Sequence, residues 1–101
     1  MSITSKQEEN GKLLRIVVDC RFDFSQLQPF RNAYEQVEKK PDYYIIDLKT
    51  SNYIDSSALG MLLALRDHAG GDNSKIVIDN CPPDIRKILT ITKLDELFSV
   101  K

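Results

Sequence analysis

The sequence is poor in the residues that do chemistry unaided. It holds a single histidine, His68, two cysteines, Cys20 and Cys81, and no tryptophan. Two cysteines are too few for a disulfide framework, and a reducing compartment keeps them as thiols. Cys81 stands before Pro82-Pro83 at an expected helix start, where a thiol pKa can fall. A redox pair would need a second cysteine at position 84, which is Asp84, so redox chemistry is disfavoured. One histidine without nearby cysteines offers no metal set, and His68 reads as a surface or half-buried side chain. No cofactor is expected. A basic surplus is also missing: 14 Lys and Arg stand against 15 Asp and Glu, which argues against nucleic acid as a partner. No apolar run approaches the roughly 20 residues of a membrane span, so no membrane partner is expected. Met1-Ser2-Ile3-Thr4-Ser5-Lys6 lacks an apolar signal core, and the expected location is cytoplasmic.

What is there is an ordinary globular composition. The chain is 42% hydrophobic and 29% charged over 101 residues, which fits one domain, residues 1–101. Asn10-Gly11 supplies a turn dipeptide between a strand near Ile3 to Lys6 and an alternating, β-branched run from Lys12 to Val18, predicting a hairpin with an edge strand first. A helix is predicted to open near Gln28-Pro29 with proline at its first position. Phe30, Ala33, Tyr34 and Val37 make its apolar face, and Lys39-Lys40-Pro41-Asp42 ends it. Tyr43 to Leu48 and Lys75 to Asp79 read as buried strands. Asn80 or Cys81 is the expected cap of a third helix with Ile85, Ile88 and Leu89 inward. Leu94, Leu97 and Phe98 are expected on a final short helix. The predicted order is β-β-α-β-α-β-α-α, an α/β sandwich in which helices cover a mixed sheet of four to five strands.

The most informative stretch is Tyr53-Ile54-Asp55-Ser56-Ser57-Ala58-Leu59-Gly60-Met61-Leu62-Leu63. It sets an acid and two hydroxyls where a buried strand hands over to an apolar helix from Ala58 to Ala69, which ends at Gly70-Gly71. Ser56 or Ser57 is a natural N-cap. A helix N-terminus also accommodates negative charge, so a serine there is placed to carry a phosphate. The helix is apolar nearly all round. Leu59, Leu62 and Leu63 are assigned to the core, while Met61 and Leu65 project elsewhere, with Met61 suited to an adaptable docking surface.

Asp55-Ser56-Ser57-Ala58-Leu59-Gly60 resembles the signature of the STAS domain, the anti-sigma factor antagonist family, whose usual form is Asp-Ser-Ser-Gly-Leu-Gly with the first serine phosphorylated. The resemblance makes Ser56 the phosphorylated residue, Asp55 its acidic neighbour and Gly60 the second family glycine. Ala58 replaces the first glycine and adds a methyl beside the site. Arg21-Phe22-Asp23 resembles the family's Gly-x-x-Asp turn, with Cys20 at the glycine and Asp23 at the acid near the phosphorylation site. Leu89 to Phe98 is similar to the closing helical segment.

The resemblance implies a bacterial partner-switching protein in transcription regulation. Its unmodified surface around Asp23, Asp55, Ser57, Ala58, Gly60 and Met61 would dock an anti-sigma factor or serine kinase. Phosphate on Ser56 would release that partner, and a metal-dependent serine phosphatase would restore binding. The protein would be a substrate and not an enzyme. The alternative is a constitutive STAS scaffold subunit of a sensory or transport assembly. A serine hydrolase is disfavoured, because His68 lies about three helical turns beyond Ser56 and no Gly-x-Ser-x-Gly elbow is present.

Overall fold

β-Branched and aromatic runs build a five-stranded sheet whose order in space follows its order in sequence. The computed structural model describes residues 2–19 and 21–101; the turn position expected at Cys20 lies outside them. The hairpin pairs β1 (Ser2–Glu8) antiparallel with β2 (Leu13–Asp19). The turn between them takes left-handed dihedrals at Glu9, Asn10 and Gly11, which Asn and Gly tolerate best. Helical crossovers then make every further pairing parallel. The elements are α1 (Leu27–Glu35), β3 (Tyr43–Asp47), α2 (Ser56–His68), β4 (Ile76–Asp79), α3 (Pro83–Ile91) and β5 (Ser99–Val100).

Register aligns the core across the strands. Leu14 sits opposite Tyr44, and Tyr44 opposite Ile76; Ile16, Ile46 and Ile78 form the next row. All six are buried beneath Phe30 and Tyr34 of α1, Ala58, Met61, Leu62 and Leu65 of α2, and Ile85 and Leu89 of α3. Period-two alternation turns Arg15, Ile45 and Val77 the other way, where they stay half-buried.

Four local expectations are corrected. Pro29 is the third residue of α1, after a 3-10 turn at Phe24–Gln26. The N-cap of α3 is Pro82, with Pro83 first in the helix and no side-chain cap, while Asn80 takes a left-handed conformation after β4. The final helix is only a 3-10 turn, Leu94–Glu96, opened by Lys93 in the left-handed region and followed by β5; the chain order therefore ends in a strand. Leu94 and Phe98 are buried there, but Leu97 is exposed. On α2 the inward face is Ala58, Met61, Leu62 and Leu65, and Leu63 points outward at 40% exposure.

Candidate functional site

The site is assembled by a short continuation of the sheet beyond β2 and β3. Phe22 pairs in parallel with Ile54, its amide donating to the Tyr53 carbonyl at 3.0 Å while the Asp55 amide donates to the Phe22 carbonyl at 3.3 Å. Phe22 and Ile54 are buried and lock the two loops together. The bridge thereby sets Asp23 opposite Asp55, the residue before α2 begins.

Three consecutive residues could cap α2, and the acid does so. The Asp55 carboxylate accepts from the Ala58 amide at 2.9 Å. Ser56 and Ser57 are instead the first two helical residues, so the cap expected at a serine is corrected to Asp55. Asp55 keeps extended dihedrals while the helix starts at Ser56, and the helix dipole also favours its charge in that place. The displaced hydroxyls differ in setting: Ser56 is exposed, whereas Ser57 is half-buried.

Asp23 has a structural duty as well. It caps the turn that follows, accepting from the Ser25 amide at 3.0 Å and from the Ser25 hydroxyl. The Ser25 hydroxyl bond, foremost, holds its carboxyl below the usual carboxylate range. Arg21 adds an ion contact, Nε to Oδ2 at 3.8 Å, while its guanidinium lies 4.0 Å from the centroid of the Tyr53 ring.

Beside the serines runs a shallow groove of about 240 Å³ lined by Phe24, Leu27, Ser57, Gly60, Met61 and Ala64. Phe24 stands 64% exposed at its rim. Of the expected docking residues, Ser57 and Gly60 line this groove directly. Met61 contributes only its floor: at 4% exposure it belongs to the core, which corrects its assignment to an outward face. Ala58 is fully buried, so its methyl faces the protein interior and cannot touch a partner. Phe24, Leu27 and Ala64 were not anticipated. Phe24 carried one signal, an aromatic following the Asp23 cap in a polar stretch.

Gly60 is exposed, and a Cβ built on it would meet nothing within 4 Å. No internal contact requires glycine there. An exposed helix-interior glycine costs about 1 kcal/mol relative to alanine. Gly60→Ala should therefore raise the melting temperature by about 4–8 °C while weakening any partner that approaches the backbone at this point. Thermal melts paired with binding curves check this; a stabilised variant that binds normally would make the glycine incidental.

The remaining reactive groups lie elsewhere. His68 ends α2 and packs against Tyr34, ring centroids 5.0 Å apart and planes tilted by 55°. Twelve residues at about 1.5 Å per residue place it about 18 Å along the axis from Ser56. Cys81 is half-buried, and burial pushes its thiol up, opposite to the fall expected of a helix start. Among the described residues, no group of three or more His, Cys, Asp or Glu is placed to hold a metal ion. No helix among them is long and apolar enough to cross a membrane.

Residues 5–99 match the family model described as Mlab, STAS domain. The chain is 50% identical over 100 residues to a STAS-domain containing protein of Pseudomonas aeruginosa (strain UCBPP-PA14), with 99% of each covered. Among solved structures, a Thermotoga maritima protein described as an anti-sigma factor antagonist superposes with a TM-score of 0.79 at 13% identity, covering 97% of this chain and 84% of the other. The anti-sigma factor antagonist SpoIIAA in its unphosphorylated form gives 0.72 at 14%, covering 89% and 83%. A sulfate transporter family protein from Wolinella succinogenes gives 0.73 at 12%, covering 89% and 78%. These low identities speak for the fold alone.

Proposed function

The chain belongs to the STAS domain family, and from that premise we propose that it is a phosphorylation-switched protein-binding module whose switch is Ser56. The observation that carries this reading is the contrast between the two serines at the head of α2. Ser56 is exposed and displaced from capping by Asp55, while Ser57 is half-buried beside Phe24 and Met61. A kinase needs a free hydroxyl, and Ser56 offers one next to Ser57, which lines the apolar groove.

In the unmodified state the groove and Gly60 receive the partner. A phosphate on Ser56 adds about −1.5 to −2 charges between Asp55, the preceding residue, and the groove-lining Ser57. Docking would then desolvate two adjacent anions, so binding is lost until the phosphate is removed. Such a protein contributes no catalyst of its own: ATP and metal belong to the kinase and phosphatase. The fold of SpoIIAA and of the Thermotoga antagonist supports an anti-sigma factor or switch kinase as partner, in the cytoplasm of a bacterium.

A second reading, a constitutive scaffold subunit, draws on the comparable likeness in fold to the sulfate transporter family protein. Phosphorylation mapping separates the two. The switch reading expects protein purified from its own cells to carry phosphate on Ser56 and not on Ser57, located by fragmentation mass spectrometry. Phosphate found only on Ser57 would overturn the assignment, and an unmodified chain under every growth condition would favour the scaffold.

A further inference from the structure

The parallel pairing of Phe22 with Ile54 has a consequence for the residues on either side of it. Alternation buries Phe22 and Ile54 and turns Arg21, Asp23, Tyr53 and Asp55 to the opposite, solvent-facing side. On that side Arg21 is 64% exposed and Tyr53 39% exposed. The guanidinium lies 4.0 Å from the centroid of the Tyr53 ring. Stacking of this kind holds the planar fork while leaving its N–H edge open to another acceptor.

Its present acceptor is a poor one. Arg21 Nε stands 3.8 Å from Asp23 Oδ2, an ion contact longer than a hydrogen bond, and exposed pairs of this kind contribute little. Asp23 does not depend on it, since Ser25 supplies both an amide and a hydroxyl. A cation is thus parked on an aromatic ring three residues before Ser56, beside the Asp23 carboxylate, with a weak hold on it.

Resting on the reading of Ser56 as the switch, we propose that Arg21 is the intramolecular receptor for the Ser56 phosphate. On phosphorylation the guanidinium leaves Asp23 and pairs with the phosphate oxygens, Tyr53 continuing to support its plane. Arg–phosphate pairs are short, charge-assisted and frequently bidentate, so a dianion outcompetes a carboxylate 3.8 Å away. The pair offsets the repulsion from Asp23 and Asp55, keeps the modified loop in its folded place and holds the phosphate fully ionised. Removing the phosphate returns Arg21 to Asp23.

The test uses full-length chain with phosphoserine installed at position 56 during synthesis, so that it does not depend on any kinase. Phosphorus NMR follows the second ionisation of the phosphate in the native sequence and in Arg21→Gln, Arg21→Lys and Tyr53→Leu variants. The midpoint should rise by about half a unit to one unit in Arg21→Gln, the exposed-site share of the shift an adjacent cation produces. Arg21→Lys should keep part of the native value, and Tyr53→Leu should lose part of it. Equal midpoints in the native and Arg21→Gln proteins, with both folded by circular dichroism, would overturn the proposal. Because the phosphate is installed, that result would leave the Ser56 switch standing. Absence of Ser56 phosphate in cells would instead remove the switch while leaving this contact measurable.

Discussion

Met61→Lys should destabilise the free protein by about 2–4 kcal/mol, lowering its melting temperature by about 10–25 °C. Met61 is 4% exposed and belongs to the same buried cluster as Ala58, Leu62 and Leu65. Replacing its thioether with an ammonium loses apolar contacts and forces a charge into a site with no acidic neighbour among the groove residues. The lysine stem can run along the groove floor and release its charge past Ala64, which limits the loss. Met61→Leu, nearly the same volume, should cost under about 1.5 kcal/mol. Paired thermal melts measure both. An unchanged melting temperature for Met61→Lys would return this residue to the surface.

Ser56→Ala should bind the partner as tightly as the native chain, whereas phosphate on Ser56 should weaken binding about a thousandfold. Position sets the size of the effect. Exposed Ser56 directly follows Asp55, whose carboxylate is committed to the Ala58 amide and cannot retreat without uncapping α2. A partner seated on Ser57 and Gly60 must therefore desolvate phosphate and carboxylate together. About 4 kcal/mol for that burial corresponds to about three decades of affinity. Ser56→Asp carries one charge and one fewer acceptor oxygen, so it should lose only about tenfold.

How much of this was legible depended on whether a pattern was local. Strands β2, β3 and β4 announced themselves as β-branched runs, and Asn10-Gly11 marked the hairpin. The face of α2 did not, because Leu59, Met61, Leu62, Leu63 and Leu65 are all apolar. Periodicity cannot choose a side on such a helix; only the sheet beneath it, through Tyr44, Ile46 and Ile78, decides that Leu63 points out. The cap was ambiguous for a related reason: Asp55, Ser56 and Ser57 are all good capping residues, and the choice turns on where the first helical dihedrals fall. Lys93 in the left-handed region gave no sequence warning, so the short closing turn read as a helix.

The site divides in the same way. Ser56 and Asp55 are contiguous and were visible in their motif. The groove was half visible, since Phe24 and Leu27 reach Ser57 and Gly60 only after the Phe22–Ile54 bridge joins distant segments. The stacking of Arg21 on Tyr53 depends on that same bridge, and no spacing in the sequence could have supplied it.

In the proposed switch, one phosphate on Ser56 decides whether this surface is occupied. The most direct measurement is calorimetry of a single partner, captured on the unmodified protein, against unmodified chain and chain quantitatively phosphorylated on Ser56. The switch requires tight binding in the first titration and an affinity about a thousandfold lower in the second, with the native fold retained in both. Equal affinity in the two titrations would contradict it.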